Sequence, residues 1–107
     1  MTFVSSVAAF GRHPNTGVLR SLVDGPRRFS ELVEACRLTN EVDLGASVRE
    51  LDAAGLLTRR VDPGPPLRVL YELTTAGREL APALVALAAW ADERDPRPDP
   101  LARWRHA

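Results

Sequence analysis

Between Leu80 and Ala91 the sequence reads "LAPALVALAAWA", which is apolar nearly all round when wound as a helix. A chain of 107 residues builds one domain with a single modest core, too small to cover such a helix on every side. A second copy of the chain is the natural cover, so this stretch points to a homodimer. Leu84, Leu87 and Trp90 are the interface residues expected from it. Pro82 stands inside the stretch and should bend the helix or divide it into two segments. In "TFVSSVAAF" the residues Phe3, Val7 and Phe10 fall at helical spacing, which predicts a short N-terminal helix joining the same interface.

The charge balance limits what a partner can be. Fourteen basic residues, all Arg, meet fourteen acids, and the net charge is zero. A strongly basic nucleic-acid-binding domain is therefore excluded, and any affinity for DNA must come from local clusters of Arg. The single Cys allows neither an internal disulfide nor a Cys-rich metal site. His13 and His106 lie at opposite ends of the sequence, with no metal-ligand or catalytic spacing. Neither a cofactor nor an enzymatic activity is expected, since no Ser-His pair, phosphate-cradling glycine loop or paired acid and base is present. With no signal-like or membrane-spanning run, a cytoplasmic protein is expected.

Between the ends, the pattern predicts three helices, a hairpin and a last helix. "TGVLRSLVDG" gives a short helix ending at Gly25, with Val18, Leu19, Leu22 and Val23 inward. Ser30 is the expected N-cap of "ELVEACRL", whose core face is Leu32, Val33 and Cys36. Thr39 or Asn40 caps the next helix, which stops at Gly55. On it Leu44, Val48 and Leu51 share one face. A rotation of about 100° per residue sends Val42, Ala46, Arg49 and Ala53 outward. "LTRRV" and "LRVLYEL" read as strands joined by the stiff loop "DPGPP". Thr74 or Thr75 then opens the C-terminal helix. Residues 1–93 form the domain in this reading, and the proline-spaced 94–107 is a disordered tail.

Helix, helix, helix, hairpin, helix is the order of a winged helix-turn-helix, mostly α with a small β-hairpin wing. The segments "DGPRRFSELVEAC", "VRELDAAGLLTRRV" and "PPLRVLYELTTAGREL", with "ALAAWADE" after them, carry the comparison further. From about Gly11 to Glu93 the chain resembles the HxlR family of bacterial transcriptional regulators, a MarR/HxlR-like winged-helix group. The resemblance implies a homodimer held by the N- and C-terminal helices, a recognition helix at 40–53 and a wing at 58–73. It implies DNA as partner, with a small-molecule effector as a further one.

Three features depart from the family pattern. Pro14 stands where a Trp is usual, and Gly17 replaces a large apolar residue. Positions 1–10 lack the Cys that senses electrophiles in many members. Residues 41–55 carry one Arg against four acids, a local charge of −3. On the helix, Asn40, Val42, Ala46, Ser47 and Arg49 are the candidate base contacts. Arg27, Arg28, Arg59, Arg60 and Arg68 are the candidate phosphate contacts, in competition with ion pairs to Glu31, Asp62 or Glu72. The leading reading is a dimeric DNA-binding regulator. The second is a winged-helix dimer that has left DNA and holds a small apolar or aromatic ligand, in space opened by Pro14 and Gly17.

Overall fold

The computed structural model describes residues 13–94, so Phe3, Val7, Phe10 and the tail beyond Arg94 lie outside the described residues. Four helices and one hairpin follow in chain order: α1 (Pro14–Ser21), α2 (Phe29–Ala35), α3 (Glu41–Ala53), β1 (Leu57–Asp62), β2 (Arg68–Leu73) and α4 (Thr75–Arg94). The core joins Leu19 and Leu22 from the α1 segment, Leu32 from α2 and Leu44 and Leu51 from α3. Leu57 and Leu73 at the base of the hairpin and Ala81 of α4 complete it.

His13 caps α1 by accepting the Asn15 N–H on Nδ1 at 3.1 Å. Pro14 follows in the first turn, where its missing N–H leaves no bond unmade. The helix stops at Ser21, short of the expected Gly25, and the chain turns through residues 22–25. Gly25 at φ 145° and Pro26 after it are incompatible with a further helical turn. Of the expected inward face, Val18, Leu19 and Leu22 are buried while Val23 is 48% exposed.

The cap of α2 is Arg28, not Ser30. Glu31 decides this, because its Oε1 accepts the Arg28 backbone N–H at 2.9 Å and starts the helix two residues earlier. Cys36 ends α2 half-buried, packed on the core as expected.

Asn40 caps α3 by accepting the Asp43 N–H at 2.8 Å. At the other end Leu56 N–H reaches the Leu51 carbonyl at 3.0 Å and Gly55 N–H reaches that of Asp52 at 3.0 Å. Gly55 sits at φ 77°. This paired pattern closes the helix and needs a left-handed residue at that point, which glycine supplies.

The hairpin is antiparallel, with Leu57 opposite Leu73, Arg59 opposite Tyr71 and Asp62 opposite Arg68. Arg27 adds a short third rung: its N–H meets the Tyr71 carbonyl at 2.9 Å, and Tyr71 N–H returns to the Arg27 carbonyl at 2.8 Å. The wing is thereby tied to the turn before α2. Phe29 packs edge-on to Tyr71 at 6.5 Å between ring centroids.

Thr74 caps α4, accepting the Gly77 N–H at 3.2 Å and donating to the Gly55 carbonyl at 2.6 Å. Pro82 does not divide α4, which runs unbroken for 20 residues. Pro82 and Arg78 both lie on the exposed side, where water can take the carbonyl the proline strands. Leu80, Leu87 and Trp90 are 37%, 42% and 40% exposed, so the chain covers only part of the apolar helix. Leu84 is half-buried against the protein's own core. Among the described residues no helix is long and apolar enough to cross a membrane.

Candidate nucleic-acid interface

α3 divides into an inner and an outer face. Leu44, Ser47, Val48 and Leu51 are the buried residues of this helix, at spacings of three and four. That leaves Glu41, Val42, Ala46, Arg49 and Glu50 outward, with Val42 79% exposed. Ser47 is the correction to the sequence reading. It is 3% exposed and its hydroxyl donates to the Asn15 side-chain oxygen on α1, so no nucleic acid can reach it. Its spacing from Leu44 and Leu51 carried the inward signal, and the polarity of serine obscured it.

Asn40 is exposed at the start of α3, but both ends of its amide are committed. The oxygen takes the Asp43 N–H and the nitrogen donates to Asp43 Oδ2 at 3.0 Å. A base edge would have to compete with this cap. The Asn-x-x-Asp spacing is a capping signature and could have revealed the arrangement.

Alongside α3 runs an open groove of about 420 Å³ lined by Phe29, Glu41, Val42, Gly45, Val48, Arg49 and Tyr71. It separates α3 from the base of the hairpin. Arg49 lies back over Gly45, its Nη1 3.5 Å from where a glycine Cβ would stand. Glu41, Gly45, Phe29 and Tyr71 were not singled out as site residues by sequence. The groove they line depends on the Arg27 rung that brings the wing alongside α2.

The five candidate phosphate ligands separate clearly. Arg27 faces inward: it is half-buried and its Nε donates to the Ser21 carbonyl at 2.7 Å. Arg28 is exposed and 4.0 Å from Glu31, a loose pair worth little. Arg60 pairs with Glu72 across the hairpin at 3.4 Å. Arg59 and Arg68 are exposed and make no ion pair among the described residues. Directly opposed residues share a face of the sheet, so Arg59 stands on the same side as Tyr71 and Arg68 on the other.

Beside the first helix, a Cβ added to Gly17 would meet Cys36 Sγ at 3.6 Å, an ordinary contact, so a methyl group fits there. The groove between α1 and α4, about 430 Å³, is lined instead by Val23, Pro82, Val85 and their neighbours, without Pro14 or Gly17.

Comparison with known proteins agrees with this geometry. Residues 11–98 match the HxlR-like helix-turn-helix family. The chain is 32% identical over 89 residues to the HTH-type transcriptional regulator YodB of Bacillus subtilis, covering 83% of this chain and 80% of that one. It is 36% identical over 76 residues to YvaP of the same organism, an uncharacterised HTH-type regulator, covering 71% and 70%. The reduced form of YodB superposes with a TM-score of 0.71 at 30% identity, over 89% of this chain and 93% of that one. The redox regulator HypR in its reduced form gives a TM-score of 0.65 at 32% identity, over 75% and 80%. With its outward α3, its hairpin wing and these relatives across most of its length, the chain belongs to the HxlR-like helix-turn-helix family of transcriptional regulators.

Proposed function

We propose that two copies of this chain form a cytoplasmic homodimer that binds duplex DNA and regulates transcription there, rather than catalysing a reaction. Each copy lays α3 in a major groove and sets its wing on the adjacent backbone. The observation that carries this reading is the division of α3 into a fully used inner face and an outer face left bare. Val42 and Ala46 supply apolar contact for thymine methyls, and Arg49 supplies the fork that fits guanine. Arg59 and Arg68 anchor the phosphates. Arg27 is committed to the Ser21 carbonyl and Arg60 is paired with Glu72, and Ser47 leaves the contact set.

Two half-sites require two recognition helices, and α4 offers the means to join them. Leu87 and Trp90 stand exposed on a helix whose Ala81 and Ala91 are fully buried. Burying such apolar area on a symmetric copy is the ordinary route to a stable dimer.

Attraction and repulsion are closely matched on this surface. Glu41, Asp43, Glu50 and Asp52 are all exposed on α3 and repel phosphate. Two anchoring Arg per copy, four per dimer, give a salt slope of about −4 in log K against log salt. Binding is therefore weak without a matching sequence. The test is a gel shift on the DNA upstream of the chain's own coding region, between about 50 and 200 mM salt. Retention that falls with this slope supports the reading. No retention at the lowest salt overturns it.

A further inference from the structure

We propose that Gly45 is a specificity-determining position, where a base edge meets the bare backbone of α3 while Arg49, folded over that position, reads a guanine. The inference rests on the DNA-binding reading above and assigns a role to a residue outside the expected contact set.

Gly45 is the fifth of the 13 residues of α3, well inside the helix. Only proline is less favourable at such a position. The fold gives no reason for it. Its backbone is not among the positive-φ glycines, Gly25, Gly55 and Gly64. A Cβ built there meets nothing nearer than Arg49 Nη1 at 3.5 Å, an ordinary contact. Gly77 shows the contrast, since a Cβ on it would lie 1.9 Å from the Leu56 carbonyl oxygen. One glycine is required by packing and the other is not. Among the described residues only Arg49 lies over Gly45, and any further group that uses the bare backbone enters from the groove between α3 and the wing.

Arg49 supplies the chemistry. It is the one cation among residues 41–55, and it makes no hydrogen bond or ion pair among the described residues. A guanidinium offers two parallel donors to the O6 and N7 of guanine, which lysine cannot reproduce. It lies along the helix across Gly45, and from that position it reaches a base when the helix approaches the groove floor closely. A bare Cα permits that approach and a methyl group opposes it.

The test begins with selection of binding sites from a random duplex library by the wild-type chain. Thermal melting and affinity for the selected site are then compared for wild type, Gly45→Ala, Arg49→Lys and Arg49→Ala. Gly45→Ala is expected to melt about 4–8 °C higher, because a helix-weakening residue is gone. The same variant is expected to bind the selected site at least about tenfold more weakly. Arg49→Lys keeps the charge and is expected to lose about tenfold in preference for one guanine per half-site, as Arg49→Ala does. Equal site affinity for Gly45→Ala and wild type overturns the inference, as does a lower melting point for Gly45→Ala. Failure of the wild type to enrich or retain any duplex overturns the DNA reading itself, and is recognised before any variant is made.

Discussion

The hydroxyl of Ser47, buried on α3, donates to the side-chain oxygen of Asn15 on α1. This bond ties α3 to the first helix. Removing the hydroxyl leaves the Asn15 oxygen with a lost partner in a half-buried site. Ser47→Ala is expected to cost about 1 kcal/mol, or about 4–8 °C in melting temperature. Asn15→Ala combined with it should add much less than the sum of the two, since both remove the same bond. Additive losses in thermal melting would show that the two residues act separately.

Gly77 is a glycine that packing requires. With a Cβ driven to 1.9 Å from the Leu56 carbonyl oxygen, either the start of α4 or the turn after α3 must move. Gly77→Ala is expected to cost about 3 kcal/mol in a denaturant titration, the upper range for overpacking. An unchanged midpoint would contradict the close approach.

The two arginines side by side in β1 should behave oppositely. Arg59→Ala is expected to lower DNA affinity and to reduce the salt slope by about 2 per dimer, one phosphate contact from each copy. Arg60→Ala removes the Glu72 pair and should change affinity far less. Exposed pairs of this kind contribute about 0–1 kcal/mol, so its stability should scarcely move either. Anisotropy titrations at several salt concentrations separate the two.

Assembly depends on the outer face of α4. Arg94 already covers one side of Trp90, its guanidinium 4.6 Å from the ring centroid. Leu87→Arg is expected to convert a dimer to a monomer in light scattering at micromolar concentration. A wild-type chain that scatters as a compact monomer would remove the dimer from the reading.

Cys36 is expected to react slowly with thiol reagents in the folded state. Its Sγ lies 3.7 Å from Ser21 Oγ and packs toward Gly17 on the core side of α2. Cys36→Ala should lower stability by about 1 kcal/mol and leave DNA affinity intact. Fast labelling coupled to loss of DNA binding would make it a sensor.

Sequence alone determined the elements and the family. Apolar residues at spacings of three and four, a cap at Thr39 or Asn40, the stop at Gly55 and the stiff "DPGPP" loop act within a few residues of chain, and local energetics suffice to read them. The same holds for the outward stripe of Val42, Ala46 and Arg49, since helical rotation follows from the core face of Leu44, Val48 and Leu51. Tertiary structure alone decided which polar groups were already spent. Ser47 found Asn15 some 32 residues away, Arg27 found Ser21 and Tyr71, and Arg60 found Glu72 across the hairpin. Each pairing depends on how separate elements meet, and a buried donor takes whatever acceptor that meeting brings. The charge on Arg49, Arg59 and Arg68 is what remains after the fold has satisfied itself, and that on Arg28 is only loosely paired with Glu31. No count of arginines in the sequence could have separated the two groups.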